Sequence, residues 1–547
     1  MSASLTRRDV LAAFLGVPLA VAACGRKKRV PDGELAFRPE VLGHRLRDER
    51  PPVLPADRWE RAGIVIVGAG VAGLSAARRL LASGYDDFVI LELETAPGGT
   101  ARSGGNATSA YPWGAHYITA PMQDNRDLIA LLRELGLVDG EDAAGEPTFR
   151  EEMLCREPQE RIFADGSWHE GLYLHEGETD DDRAQLQRFK RTIERFAALR
   201  DAQSRRSFAV PTAQSSIDAE LTALDRTSIA SWLARERFTS ARLRWLVDYA
   251  CRDDFGARAA QTSAWAGIHY YASRLLGPGR DPQAVLTWPS GNGWLVGKLH
   301  ERVRAKLRLG LAVADVAPVT DAATGRSAVE VTAIGAPPLA VGIRAQRVIF
   351  AAPQFVARAV VRPYRDAPPP HLDAFEYGAW MVANITLAEH PQSRGRRDRT
   401  MAWDNVLHDS PSLGYVCATH QTGRDEGPTV LTYYYPLCDE DPRAGRRRLY
   451  AAGRDEWADV ALTDLESAHP DIRALASRVD VVRWGHAMVR PSPGFVFGGA
   501  RAAAARPMRG IHFAHTDLSG VSLFEEAFFH GNRAADEALA AVRTAPT

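Results

Sequence analysis

At 547 residues the chain is long enough for two or more domains, and its 45% apolar and 25% charged residues are an ordinary globular composition. A formal net charge of −1 gives no electrostatic case for a nucleic-acid partner. Five lysines stand against 62 arginines, so a lysine-dependent mechanism has few candidates: Lys27 and Lys28 fall in a linker, and Lys298 and Lys306 read as the solvated face of a helix after Gly293.

The first residues are not read as fold. Thr6-Arg7-Arg8-Asp9-Val10-Leu11 precedes an apolar stretch to Ala23 that is too short to span a bilayer as a mature helix and ends in Val21-Ala22-Ala23-Cys24-Gly25. Residues 1–23 resemble a twin-arginine export signal joined to a lipoprotein cleavage box, with Cys24 as the acylated residue; the alternative is an N-terminal membrane anchor that is never cut. Gly25 to Ala56, with a basic start and prolines at 31, 39, 51, 52 and 55, reads as part of a tether over residues 24–62. No later segment has the uninterrupted apolar length to cross a membrane.

A dinucleotide-binding βαβ unit follows. The apolar run Ile64-Val65-Ile66-Val67 delivers the chain to Gly68-x-Gly70-x-x-Gly73, a helical stretch runs from Leu74 to Leu81, and a second apolar run, Phe88 to Leu91, ends at Glu92. Gly68 suits the tight turn, Gly70 lets a pyrophosphate approach the backbone, and Gly73 allows close helix–strand packing. The helix N-terminus faces the phosphates with unpaired N–H groups. Glu92, nineteen residues past Gly73, is placed to accept hydrogen bonds from a ribose. A second glycine-rich turn, Ala96-Pro97-Gly98-Gly99-Thr100-Ala101-Arg102, is superfluous for a nicotinamide enzyme but suits a longer cofactor held by further amides and a cation.

At the far end, Gly510-Ile511-His512-Phe513-Ala514-His515-Thr516-Asp517-Leu518-Ser519-Gly520 leads into Glu525-Glu526-Ala527 and Gly531-Asn532-Arg533. This reads as strand, acid-bearing turn and helix. With these motifs the chain resembles the flavin-containing amine oxidase, phytoene desaturase and protoporphyrinogen oxidase superfamily from about Gly63 to Ala538. The resemblance implies an α/β fold with a discontinuous Rossmann-like FAD-binding domain and an α+β substrate domain of mixed sheet and helical cap. It assigns Gly68, Gly70, Gly73 and Glu92 to the ADP half of FAD, Gly98, Gly99 and Arg102 to the pyrophosphate and flavin side, Val313 to the adenine and Asp517 to the ribityl chain. A helix starting near Gly520 would aim its N-terminus at the flavin.

Looser matches lie between: Trp288 to Gly293 with the helix Leu295 to Val303, the strand and crossing Ala345 to Pro353, and Arg483 to Gly494 as a last substrate-side strand. FAD-binding segments at 63–165, 285–360 and 480–547 would then enclose a substrate domain at 166–284 and 361–479. Apolar spacing predicts helices over 128–137, 183–203, 228–236, 241–249 and 263–273, and strands over 379–387, 414–420 and 428–435. The chain departs from the amine oxidase pattern at His515, where glycine is usual, at Leu523, where an aromatic walls the cage, and at Arg358 and Ala359, near the place of a lysine. Cys155, Cys251, Cys417 and Cys438 have no metal-ligand spacing; some pair in an oxidising compartment or all are buried thiols. None stands near the C-terminal motif, so the expected FAD is non-covalent and no metal is expected.

Flavin performs the oxidation, leaving the protein to supply position, dryness and protonation state. Trp113-Gly114-Ala115-His116-Tyr117 looks like the family's strand crossing near the flavin, which makes His116 and Tyr117 the catalytic candidates. Trp484, His486 and the tyrosines 433–435 are wall candidates, while Glu525 and Glu526 suit a helix N-terminus. The leading expectation is oxidation of a C–N bond of a small amine or polyamine, with oxygen or a membrane quinone as acceptor. Alternatives are desaturation of a C–C bond in an isoprenoid or tetrapyrrole, and a non-catalytic flavin-binding lipoprotein. Twin-arginine export of a folded protein suits FAD bound in the cytoplasm and predicts a periplasmic or extracytoplasmic protein touching the membrane only through lipidated Cys24.

Overall fold

Ile64 to Val67 are all buried at the end of the strand Trp59–Val67. The run is continuously apolar, rather than alternating, because both faces of its sheet are covered. The computed structural model describes residues 30–37, 39–321, 325–336, 339–395, 399–439 and 441–544; the expected signal, with Cys24, Lys27 and Lys28, lies outside the described residues.

Trp59–Val67 pairs in parallel with Phe88–Leu91 on one side and Ala340–Phe350 on the other. The far edge of Ala340–Phe350 is shared: Ala340 to Ala345 pair antiparallel with Ser327–Ile334, and Val348 to Phe350 pair in parallel with Ile511–Phe513. Segments from the first, middle and last parts of the chain therefore build one seven-stranded sheet. The helices Val71–Ala82 and Phe524–Arg543 pack against each other so closely that a Cβ on Gly531 would stand 2.2 Å from the Ala72 carbonyl oxygen.

A second seven-stranded sheet runs in the order Ala476–Val489, Tyr377–Leu387, Thr429–Pro436, Gly414–Cys417, Asp404–Leu407, Glu160–Ala164, Ser167–Glu170. Its membership corrects two expected boundaries, because Glu160–Ala164 and all of Ala476–Val489 belong to it. The cut at 165/166 falls in the turn of the hairpin Glu160–Ala164 and Ser167–Glu170, and the cut at 479/480 falls inside a strand whose partner, Tyr377–Leu387, lies far away in the chain. Alternation along Thr429–Pro436 sends Tyr433 and Tyr435 into the core beside Trp457, and Tyr434 to the opposite face.

The cap comprises Asp180–Ala198, Ile229–Arg235, Ala241–Phe255 and Ala264–Ala272. The first is fixed by a capping box between Thr179 and Asp182, and Leu186, Phe189 and Ile193 form its buried stripe. It ends earlier than expected: Leu199 turns extended (ψ 143°) and is 44% exposed.

Over residues 30–37 and 39–62 the expected tether is instead folded onto the body. Residues 32–36 lie parallel along the open edge of Ala476–Val489, and the helix Pro39–Asp48 follows, with Leu42 and Leu46 against Ala312, Ala314 and Ile334. Proline content indicates a chain without regular structure of its own, but an edge strand offers unpaired backbone groups that such a chain can satisfy.

Candidate functional site

Gly68 leaves the first strand with φ 94°, a left-handed conformation glycine adopts at little cost. A Cβ on Gly73 would sit 1.9 Å from the Gly68 carbonyl oxygen, so this glycine serves the helix–strand contact and does not itself reach the cavity. Gly70 caps the helix Val71–Ala82 without any side-chain cap, and a Cβ there would meet no atom within 4 Å. That open space is part of a cavity of about 2160 Å³, roughly twice the upper end of the usual ~300–1,000 Å³ for a small-ligand site. The Gly98 amide donates to the Ala69 carbonyl at 2.8 Å and so brings the second glycine turn beside the first.

Around this cradle stand the other cofactor candidates. Glu92 is buried, accepts the Ala69 amide at 2.7 Å and the Glu94 amide at 2.9 Å, and burial pushes its carboxyl up from the ordinary range. Arg102 is 3% exposed; its Nη2 donates to the Ala96 carbonyl at 2.7 Å, Nη1 stands 3.6 Å from Glu94 Oε2 as an ion pair, and neither Nε nor Nη1 has a hydrogen-bond partner among the described residues. Val313 lines the cavity from Ala312–Thr320.

The C-terminal motif is arranged differently from expectation. Asp517 is buried behind the cavity wall, where its Oδ2 accepts the Gln354 amide at 2.7 Å and the Tyr377 hydroxyl at 2.6 Å. Burial opposes its charge, but His515, Tyr377 and the Gln354 amide together hold the carboxyl below its ordinary value. Gly520, at φ 79°, packs on Arg501, and neither it nor Asp517 lines the cavity. The last helix begins only at Phe524, so Ser522 to Glu525 bring its uncapped N-terminus to the cavity instead.

Two uncapped helix N-termini, two glycine turns, a buried carboxylate and a buried arginine with unused N–H groups fit an anionic dinucleotide such as FAD. Asn292 Oδ1 and Trp380 Nε1, both in the lining, are further buried polar atoms without a partner among the described residues.

The other part of the lining is acidic and aromatic. Asp253, Asp254, Arg274 and Glu525 meet His116, Tyr117, Trp380 and Tyr434 there. Asp254 receives Arg274 Nη2 on both oxygens at 3.1 and 3.0 Å and lies 3.5 Å from the Tyr117 hydroxyl. Burial, and then the neighbouring Asp254, push the Asp253 carboxyl up to about 7; burial does the same to Glu525, also to about 7. Glu526 does not line the cavity: it accepts the Thr212 amide at 2.6 Å and the Ser519 hydroxyl.

The two catalytic candidates stand side by side on this wall. The His116 ring lies 4.9 Å from that of Tyr434, 5.1 Å from Tyr117 and 5.3 Å from Trp403, and burial pulls its pKa down to about 4, so it is neutral at pH 7. Tyr117 is pushed well above its ordinary value, chiefly by burial, and stays a hydrogen-bond donor. Trp484 and His486 line the cavity as expected for walls; Tyr434 does so, but Tyr433 and Tyr435 do not. Arg358 pairs with Asp373, and no lysine among the described residues lines the cavity.

Sequence reasoning passed over Asp253, Asp254 and Arg274. A signal for the first two was present: acids in the last turn of the helix Ala241–Phe255 oppose its dipole, an arrangement that calls for a specific partner.

Comparison with known proteins supports the same architecture. Residues 66–135 match the family described as NAD(P)-binding Rossmann-like domain. A redesigned putrescine oxidase superposes with a TM-score of 0.63 at 16% identity, over 88% of this chain and 99% of that one. Cyclohexylamine oxidase from Brevibacterium oxydans IH-35A gives 0.58 at 18% identity, over 88% and 98%. A putative protoporphyrinogen oxidase from Exiguobacterium sp. 255-15 gives 0.58 at 15% identity, over 87% and 98%. No curated protein sequence matches. The chain therefore shares the fold of these oxidases, a Rossmann-like domain joined to a mixed-sheet domain.

Proposed function

We propose that the protein is an FAD-dependent oxidoreductase that oxidises the C–N bond of an amine or polyamine. The observation that carries this reading is the acidic wall of half-buried Asp253 and buried Asp254 and Glu525 in the same cavity as the dinucleotide cradle. FAD, when bound, supplies the acceptor for a hydride from the carbon beside the nitrogen. Gly68, Gly70, Glu92, Gly98, Gly99, Arg102 and Val313 would hold it. None of the four cysteines lines the cavity, which supports non-covalent binding.

The chain's own residues set the substrate's position and protonation. An alkylammonium entering beside Asp253 and Glu525 restores the charge that burial suppresses, so both carboxyls ionise on binding. Only the neutral amine can be oxidised, so before the oxidation the surplus ammonium proton passes back to one of these carboxylates, a transfer favoured by the same burial that disfavours charge on both partners. Tyr117, Tyr434 and neutral His116 supply a dry aromatic wall with hydrogen-bond donors. A polyene desaturase would call for an apolar tunnel without acids, which this wall does not support.

The test is anaerobic mixing of the purified yellow protein with amines, polyamines, amino acids and polyenes. Rapid loss of flavin absorbance with amines or polyamines alone is expected; bleaching by a polyene and by no amine would overturn the reading. We propose further that the chain is exported folded by the twin-arginine route and tethered through Cys24 outside the cytoplasm. Its electrons would pass to oxygen or a membrane quinone.

A further inference from the structure

We propose that residues 31–37 and 39–54 are part of the cofactor site: a strap laid across the bound dinucleotide that sets how slowly it leaves, with Phe37 as a residue that positions Arg102. The proposal rests on the flavin reading above and adds a retaining element that none of the cofactor motifs contains.

The strap spans the crevice between the two sheets. Its first part is fastened to the substrate-domain edge by three backbone hydrogen bonds: Val479 N to Asp32 O at 2.8 Å, Val481 N to Glu34 O at 2.9 Å and Ala36 N to Val481 O at 2.8 Å. Arg454 adds a fork to the Pro31 carbonyl at 2.6 and 2.8 Å. The approach is close enough that a Cβ on Gly33 would lie 1.8 Å from the Val479 carbonyl oxygen, backbone that cannot swing aside. Its second part is fastened to the cofactor domain, where Leu46 packs on Ala312 and Ala314, and Leu54 fills the space a Gly342 side chain would need.

Between the two fastenings the strap serves the cofactor cavity. Phe37 is held at φ 50°, a left-handed conformation costly for a residue with a Cβ, and such strain persists only where surrounding contacts impose it. Its ring lies 4.1 Å from the Arg102 guanidinium carbon and edge-on to Trp113 at 5.4 Å. Arg102 is anchored by the Ala96 carbonyl through Nη2 and by an ion pair of Nη1 with Glu94 at 3.6 Å, while Nε and Nη1 make no hydrogen bond among the described residues, so the Phe37 face joins these two contacts in fixing the direction in which the remaining donors point. Beyond Phe37, Leu46, Arg47, Arg50, Pro51, Pro52 and Leu54 line the same cavity as Gly70, Glu92 and Val313. A dinucleotide seated there is covered by the strap, and its departure requires the strap to lift.

The test uses the full-length flavin-loaded protein and follows the rise in FAD fluorescence after dilution. Gly33→Ala drives a methyl group onto the Val479 carbonyl and unseats the first fastening. Phe37→Gly removes the ring while relieving the backbone, because glycine adopts φ 50° freely, and Phe37→Tyr keeps the aromatic face. Release from Gly33→Ala and Phe37→Gly is expected to be about three- to thirtyfold faster than from wild type, and Phe37→Tyr to restore the wild-type rate. Wild-type release rates in both Gly33→Ala and Phe37→Gly overturn the strap. A Phe37→Tyr protein as leaky as Phe37→Gly overturns the role of the ring on Arg102. A wild-type protein that holds no flavin at all overturns instead the reading of the site on which the strap depends.

Discussion

Glu525 offers a direct measurement of what the acidic wall costs when no cation is present. It is 6% exposed at the start of the helix Phe524–Arg543, and burial raises its pKa from 4.5 to about 7. In the unfolded chain the group loses its proton near the ordinary value; in the folded protein it keeps it until about pH 7. Between those two values the native state binds more protons, so stability falls as pH rises through the window. At about 1.4 kcal/mol per pH unit the loss is on the order of 3 kcal/mol, complete above pH 7. Glu525→Gln removes that ionisation while keeping the size of the side chain. Flavin-stripped wild type and variant should therefore have similar stability near pH 4.5, and by pH 8 the variant should be more stable by ~2–3 kcal/mol in urea denaturation. Asp253 and Glu526 also stand at about 7, so each protein retains a slope and the difference between the two curves carries the result. Parallel curves from pH 4.5 to 8 would refute the reasoning. The same variant should bind an alkylammonium about tenfold or more weakly, since a charge-assisted hydrogen bond contributes ~1.5–3 kcal/mol.

Three further outcomes follow from the same geometry. Gly70→Ala should leave the apoprotein's melting temperature unchanged, because φ −68° and ψ 179° suit alanine and the added methyl meets no protein atom; flavin affinity should fall roughly tenfold or more, and a variant that binds FAD normally would show that no phosphate passes there. Asp254→Asn strips Arg274 of its buried partner and should cost ~3 kcal/mol in denaturation, while the double variant Asp254→Asn with Arg274→Met should recover most of it; a double variant as unstable as the single would contradict the pairing. In amine-dependent flavin reduction, His116→Gln should keep any inflection near pH 7, since His116 titrates at about 4, whereas Glu525→Gln should move or remove it; the reverse result would assign the proton to the histidine.

The sequence by itself determined the cofactor half of this protein. Gly68, Gly70, Gly73, Glu92 and the second turn to Arg102 lie within one short stretch, and their roles follow from local backbone geometry: a tight turn, a bare helix start and a glycine against a carbonyl. Chain-local periodicity also located the cap helices and the central strands, though their ends moved wherever the caps decided them. The tertiary structure alone decided the rest. Asp253, Asp254, Arg274, Glu525 and His116 converge from three distant parts of the chain, and their shifted pKa values come from shared burial that no spacing encodes. Asp517 is buried behind the cavity lining, where Tyr377 and the Gln354 amide, both remote in sequence, donate to its carboxylate. Residues 30–37 and 39–56 have the composition of a linker, but hydrogen bonds from residues 32–36 to the edge of a strand some 450 residues later, and the packing of Leu42 and Leu46, hold them against the body. Composition reports whether a segment can bury itself; what another segment leaves unpaired depends on long-range contacts, and these exist only once the chain has folded.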